Sequence, residues 1–341
     1  MYDKYILKGN DYEIGVKAGK IFKKPINEEI GIYVKMLEDE KTSAITDKII
    51  LTMEKELPRC LQEIYGRADG AAVDPKAMVL FYSPEVYTKV DGCTTAVFKK
   101  DDRVLFCHNE DDIGCNHENR NLMKLDYGDF WLVGMGDYHK LHGSNFGYNS
   151  KGLVFSCNYL FHDEVNLDFL SRYIVSRDVV ESGSIEECLA KLNKHKPASA
   201  FSYNVMDIKA NEAVNVENDL DNMYVTRIEG RFARSNHFLN KENAIASENS
   251  RYRYRYANER LAKVSDDAKL QDLVDVLSYE NEEYVQSILM DPLKYPDKKD
   301  NTVTVANFAF DSLTKEIHVR DYLDHSECRL DYDDFDGREY E

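Results

Sequence analysis

The chain contains no run of about 18 apolar residues, and its opening Met1-Tyr2-Asp3-Lys4 leads into no apolar signal core. A membrane-spanning helix and a secretory leader are therefore not expected, and the reading is cytoplasmic. Positive charge is in short supply. The 44 Lys and Arg stand against 62 Asp and Glu, a net charge of −18. Nucleic acid and anionic membrane both reward Lys and Arg, so neither is expected as a partner. Cysteines are few, odd in number at seven, and irregularly spaced in a long chain, which points to reduced thiols and not to a disulfide framework. No repeat period and no Gly/Ser-rich or Pro-rich linker is present, so neither a solenoid nor two tethered halves is indicated. The 341 residues then read as one large domain with ample core, and a hydrophobic content of 43% is ordinary for a globular chain.

What the chain does have is a change of period near residue 93. Before it, helical patterns alternate with breakers: Ile14, Ala18, Ile21 and Phe22 share one face, and Ile30, Val34 and Leu37 share another. This predicts a helical prosegment. From Cys93 the pattern becomes strand-like, over Thr94 to Phe98 and Val104 to Cys107, with Asp101-Asp102 as a tight connection. Further strands are expected at Leu132 to Met135, Leu153 to Cys157, Ser202 to Met206, Ala213 to Val216, Met223 to Ile228, Thr302 to Phe310 and Ile317 to Val319. Helices are expected at Leu167 to Val180, after Ser184 with Glu187 as its capping partner, at Arg253 to Lys263 and at Leu270 to Leu277. Hairpin strands with paired helices suggest antiparallel sheets covered by helices. The acidic end, from Asp331 through Asp333, Asp334, Asp336 and Glu339 to Glu341, reads as a solvated tail.

The stretch Asp91-Gly92-Cys93-Thr94-Thr95, followed by Asn109-Glu110-Asp111-Asp112, carries the chemistry. If the Gly92-Cys93 bond breaks, Cys93 becomes a residue with both a thiol nucleophile and a free α-amine to serve as base. Their reference pKa values, about 8.5 for a thiol and about 7.7 to 8.0 for an α-amine, keep both usable near neutral pH without a histidine. Gly92, lacking Cβ, tolerates the distorted backbone of a self-cleaving bond. On the residues alone, a buried cysteine after a turn glycine accounts for the motif equally well.

Several collinear blocks resemble one family. They are Gly9-Asn10-Asp11-Tyr12-Glu13-Ile14-Gly15 with Gly19; Leu57-Pro58 through Glu63-Ile64-Tyr65-Gly66 to Ala68-Asp69-Gly70; and the two blocks around Cys93 and Asp111. Beyond them come Gly147-Tyr148-Asn149-Ser150-Lys151-Gly152-Leu153 leading to Asn158, Ala198-Ser199 with Asn204 and Asp207, Ser235-Asn236-His237-Phe238-Leu239, and Ser250-Arg251. Together, from about residue 9 to about residue 320, they resemble the acyl-coenzyme A:isopenicillin N acyltransferase-like (peptidase C45-type) group of N-terminal-nucleophile hydrolases.

That resemblance implies an α+β, four-layer αββα sandwich of two antiparallel sheets. It implies residues 1–92 as prosegment and α chain, and 93–341 as the catalytic β chain with an acidic tail from about 325. The activity it implies is autoproteolytic activation followed by hydrolysis or acyl transfer at a carbon-nitrogen amide bond, through a thioester on Cys93. No cofactor and no metal are implied. The expected partner is a small amide or peptide-like substrate, with acyl-coenzyme A as a possible donor, and the two self-cleaved chains stay together. Asp111 would hold the new α-ammonium or orient the amine, Asn158 and Asn236 would donate to the oxyanion, and Arg251 would favour the thiolate, with Arg253 and Arg255 as alternatives in the same Arg-Tyr repeat. Asn109 and His108 would support the site from behind. His108 and Asp112 depart from the pattern of many relatives and make the rim polar and acidic, which disfavours a greasy aliphatic acyl group and leaves room for an amine-bearing or peptide-like substrate.

Three rival readings remain. Cys107, His108, Asp111, Asp112, Cys115 and His117 include every common zinc ligand type, though neighbours on a strand, such as Cys107 and His108, point to opposite faces. Cys93 with His237 could form a papain-like pair, but Cys93 opens no helix. Lastly, a member of the same fold could remain uncleaved and work by binding.

Overall fold

The computed structural model describes residues 2–86, 92–113, 120–162, 164–242, 244–298 and 302–341. Strand β1 (Asp3–Lys8) is followed by five helices, α1 (Asp11–Ile21), α2 (Lys23–Met36), α3 (Glu40–Glu56), α4 (Pro58–Ala71) and α5 (Pro75–Phe81). Six strands follow: β2 (Gly92–Lys100), β3 (Arg103–Ile113), β4 (Asn121–Asp126), β5 (Trp131–Gly136), β6 (Phe146–Asn149) and β7 (Leu153–Tyr159). After α6 (Arg172–Val179) and α7 (Ile185–Lys194) come β8 (Phe201–Asp207), β9 (Glu212–Asn218), β10 (Met223–Arg227) and β11 (Arg231–Arg234). The chain closes with α8 (Glu248–Leu261), α9 (Leu270–Leu277), β12 (Thr302–Asp311), β13 (Glu316–Asp321), β14 (Glu327–Asp331) and β15 (Arg338–Glu339).

Among the described residues the strands form two sheets, one of nine strands in the order β10-β9-β8-β7-β6-β5-β4-β1-β15 and one of six in the order β11-β2-β3-β12-β13-β14. Alternating side chains sort the core into three apolar seams. Val97, Phe106, Val133, Val154 and Phe308 meet between the sheets. The opposite face of the nine-stranded sheet, with Leu132, Phe155 and Tyr203, packs under α1 to α7. The opposite face of the six-stranded sheet, with Ala96, Phe98, Leu105 and Cys107, packs under Ala257 and Leu261 of α8 and Leu273, Val274 and Leu277 of α9. This is the αββα sandwich that the resemblance implied, except that the larger sheet is mixed and not wholly antiparallel.

Several expected elements need redrawing. The N-terminal segment is mainly helical but also supplies β1, which pairs in parallel with both β4 and β15 inside the larger sheet. In α2 the buried positions are Pro25, Ile26, Ile30 and Tyr33, and Val34 is exposed, so the predicted stripe is rotated. The acidic end is not a solvated tail. Tyr332 and Phe335 are buried, Lys4 pairs with Asp336, and β15 adds to the sheet edge. Two aromatic side chains with room to bury outweigh the local charge there. Helix α6 starts at Arg172, capped by Ser171, because Leu170 instead bridges to Pro197. Helix α8 starts five residues earlier than expected, where Ser247 accepts from the Ser250 amide.

The N-terminal blocks acquire structural reasons. Asn10 and Glu13 form a reciprocal capping box on α1. Gly15 and Gly19 of α1 face Gly66 and Gly70 of α4 so closely that an added Cβ at any of the four would lie 2.1 to 2.2 Å from a backbone oxygen of the facing helix.

Candidate active site

The site grows from the β2–β3 hairpin. Asp101, with φ of 53°, turns the chain, and the ladder then sets Cys93 opposite Glu110, Thr95 opposite His108, Thr94 opposite Asn109 and Gly92 opposite Asp111. Strand β3 runs on through Asp112 because β12 pairs along its other edge, so the Asn109-Glu110-Asp111 block is strand. Alternation divides these residues between two faces. Cys93, Thr95, His108 and Glu110 share the face of Val97 and Phe106, while Thr94, Asn109 and Asp111 share the face under α8 and α9.

The backbone of Cys93 is held by buried side chains at both ends. Its amide donates to Asn236 Oδ1 at 3.0 Å, and its carbonyl accepts from Arg253 at 2.6 Å. Arg253 also donates to Thr94 Oγ1 at 2.8 Å and to Asn236 Oδ1 at 2.6 Å. Asn236 is fixed in turn: its amide donates to Ser250 Oγ and its Nδ2 to the Tyr159 carbonyl. The oxygen of Asn236, not its amide nitrogen, therefore faces Cys93, since both neighbours there are donors. This differs from the donor role expected from sequence. Arg251 is exposed, and its neighbour Arg253 occupies the place beside Cys93. Arg255 pairs with Glu259 at the surface.

Asp111 lies 3.3 Å from the Arg253 guanidinium and accepts from Thr304 Oγ1 at 2.8 Å. A Cβ built on Gly92 would come within 3.2 Å of the Asp111 Cβ, so Gly92 and this carboxylate are in close approach. Burial pushes the Asp111 carboxyl up to about 7 against the opposing pull of Arg253 and Thr304. Asn109 points away from the thiol, donating to the Leu277 carbonyl and accepting from Asn307.

On the thiol side, Cys93 Sγ donates to Glu110 Oε2 at 3.4 Å. Glu110 Oε1 is held by Lys140 at 3.1 Å and by Asn145, and Oε2 lies 3.4 Å from His108 Nε2. Burial raises the Glu110 carboxyl, but Lys140 and His108 outweigh it and bring it down to about 2. Thr95 joins His108 Nδ1, at 2.8 Å, to Asn158 Oδ1, at 2.9 Å. Asn204 donates to Asn158 as well, which leaves Asn158 Nδ2 buried with no hydrogen-bond partner. A buried donor without a partner is costly, and an acceptor placed there would satisfy it. Cys93, Glu110, Asn145, Cys157, Tyr159, Tyr173 and Phe201 line a cavity of about 10 Å3, room for roughly one water.

The rival pairings do not assemble among the described residues. Cys107 packs under α9 and accepts from Asn307, on the face opposite His108, so those two cannot share an ion, and Cys115 and His117 lie outside the described residues. Asp112 instead pairs with Lys140. The described thiol, imidazole and carboxylate that do approach one another are those of Cys93, His108 and Glu110, within 4.8 Å. His237 bonds to Ser235 and Ser250, and burial with nearby Arg234 lowers it to about 4. No disulfide joins any two of the six described cysteines, and no helix among the described residues is long and apolar enough to cross a membrane.

Glu110, Lys140 and Asn145 were not among the residues expected from sequence. Glu110 was within reach of it: a two-residue turn at Asp101-Asp102 sets the register that faces Glu110 to Cys93. Lys140 and Asn145 come from the β5–β6 connection, and no motif marks them.

A cysteine at the start of an inner strand of an αββα sandwich, gripped through its own amide and carbonyl, fits the N-terminal-nucleophile class of fold. Residues 97–320, well over half of the chain, match the model of the acyl-coenzyme A:6-aminopenicillanic acid acyl-transferase family, and the chain belongs to that family. It is similar to a beta-alanyl-dopamine/carcinine hydrolase of Drosophila melanogaster, 21% identical over 217 residues, 54% of this chain and 55% of that protein. The chain thus spans about half the length of that curated relative. Among solved structures it is similar to penicillin V acylase from Agrobacterium tumefaciens, with TM-score 0.44, 14% identity and coverage of 72% of this chain and 87% of that one. A variant of conjugated bile acid hydrolase from Clostridium perfringens gives TM-score 0.45, 13% identity and coverage of 71% and 92%.

Proposed function

We propose that the chain is the precursor of a cysteine-type N-terminal-nucleophile enzyme that cleaves its own Gly92-Cys93 bond and then acts on a carbon-nitrogen amide bond through a thioester on Cys93. The observation that carries this reading is the double grip on the Cys93 backbone by Asn236 and Arg253. Any buried amide and carbonyl need partners, but past the end of the β11 ladder, which stops opposite Thr95, Cys93 finds them in a buried asparagine and a buried arginine, groups that are costly to desolvate.

In the mature form the freed α-amine would remain against Asn236 Oδ1 and take the thiol proton as Sγ attacks the acyl carbon. Asn158 Nδ2 is the donor assigned to the tetrahedral oxyanion. The amine then returns its proton to the leaving nitrogen, and water or an acceptor amine releases the acyl group. Arg253 fixes the Cys93 carbonyl, and Asp111 acts through Arg253 and the Gly92 side of the bond. As substrate we infer an amide whose acyl part carries an amine, given the carboxylate of Glu110 beside the thiol, the acidic Asp112 next to it, and the β-alanyl amides named for the fly relative.

One observation favours the rival reading of an uncleaved binding member: the cavity beside Cys93 is far too small for a substrate. The two are separated by the intact mass of the purified protein followed by an assay of β-alanyl amides. Fragments 1–92 and 93–341 together with amide turnover support the enzyme, and a stable single chain without turnover contradicts it.

A further inference from the structure

Self-cleavage poses a proton problem that turnover does not. In the precursor the Cys93 nitrogen is an amide, already donating to Asn236 Oδ1 at 3.0 Å. An amide nitrogen accepts no proton at neutral pH, so the base of the mature enzyme does not yet exist when the first bond is cut.

The groups around the thiol supply a substitute. Asn158 Oδ1 can only accept, so the Thr95 hydroxyl proton lies on that 2.9 Å bond. The 2.8 Å contact between Thr95 Oγ1 and His108 Nδ1 must then be donated by the imidazole. That fixes the tautomer with the proton on Nδ1 and turns the Nε2 lone pair toward Glu110 Oε2, 3.4 Å away. In that tautomer Nε2 is an open proton acceptor beside the carboxylate, and a proton placed between the two would be shared by both. The Cys93 thiol is 3.4 Å from the same Glu110 oxygen.

Resting on the self-cleaving reading above, we propose that the Glu110–His108 pair takes the Cys93 thiol proton during maturation, with Glu110 Oε2 as the contact atom and His108 Nε2 as the atom that holds the proton. Sγ bonds to the Gly92 carbonyl carbon while the proton passes to the pair. The carbon-nitrogen bond then breaks, and the pair returns the proton to the Cys93 nitrogen, which leaves as the α-amine. Water hydrolyses the thioester, yielding the Gly92 carboxylate and restoring the thiol. Lys140, with Asp112 on its far side, and Asn145 position Glu110, and Thr95 positions His108. Glu110 touches the reacting sulfur and is catalytic in this step. His108 acts through it.

The test is the rate of cleavage of newly synthesised full-length chain, followed by intact mass, in wild type, Glu110→Gln, Glu110→Asp, His108→Gln and Cys93→Ala. General-base loss typically costs about 100- to 10,000-fold, so Glu110→Gln and His108→Gln are expected to slow cleavage by about 100-fold or more. Glu110→Asp, which keeps a carboxylate, is expected to recover part of the loss. Because removing one partner of buried Lys140 can impair folding, Glu110→Gln combined with Lys140→Met is the second probe of the carboxylate, with native circular dichroism required of every variant. Cleavage within about threefold of wild type in a folded Glu110 or His108 variant overturns this inference alone. Cleavage in Cys93→Ala, or none in wild type, overturns the self-cleaving reading and this inference with it.

Discussion

At the scale of single residues the site divides the work of Cys93 between two faces of one strand. Asn158 stands on the thiol face with an unused amide N–H. Asn158→Ala is expected to lower kcat for amide turnover by on the order of 100-fold with little change in KM, since the bond forms mainly in the transition state. Steady-state kinetics on matured protein check this, and a rise in KM alone would remove Asn158 from the oxyanion position. Asp111 stands on the other face, and its carboxyl is raised to about 7 chiefly by burial. A group whose folded pKa lies above its unfolded value near 3.8 contributes its stability in full below that value and loses it as pH rises through about 7. Asn mimics the protonated acid at every pH. Asp111→Asn, made in a Cys93→Ala background so that the chain stays whole, is therefore expected to match its parent near pH 4 and to exceed it by a few kcal/mol near pH 8, on the order of what about three pKa units supply. Urea unfolding at the two pH values measures it; an equal difference at both would mean that the carboxyl is ionised throughout.

At the scale of elements, the hairpin and the helix pair do most of the positioning. The turn at Asp101-Asp102 was legible in the sequence, and from it the facing of Cys93 to Glu110 follows by counting. What the sequence did not reveal was how far β3 runs, because its polar continuation through Asp112 has strand form only where β2 and β12 pair with it. The Arg-Tyr repeat was likewise ambiguous by two residues; Ser247 caps α8, and the helix that starts there buries Arg253 and leaves Arg251 and Arg255 outside. The glycines of α1 and α4 looked like family signature and are packing residues. Gly66→Ala puts a methyl 2.1 Å from the Tyr12 carbonyl oxygen, so the helices must part. A loss of about 3 kcal/mol or more is expected in denaturant unfolding, at the upper end for overpacking, and an unchanged midpoint would contradict that contact.

At the scale of the whole molecule, the layered class was readable from hairpin runs and paired helices, but the way the two ends of the chain join the larger sheet was not. Strand β1 carries mixed charge and apolar residues over six positions, and its partner β15 is only two residues long; neither has a pattern that survives without the neighbour. Their placement has a consequence for maturation. Since β1 is bonded on one side to β4 and on the other to β15, and α1 to α5 cover the same sheet, the proposed cut at Gly92-Cys93 would sever the covalent chain and leave β1 and α1 to α5 packed in the core. The direct measurement is native size-exclusion chromatography of purified wild type and Cys93→Ala, with denaturing intact-mass analysis of each peak. The account predicts one native peak for both, resolving on denaturation into fragments 1–92 and 93–341 in wild type and a single uncut chain in Cys93→Ala. A wild type that stays uncut under conditions where its fold is intact, or a Cys93→Ala chain that is cut at the same bond, would contradict it.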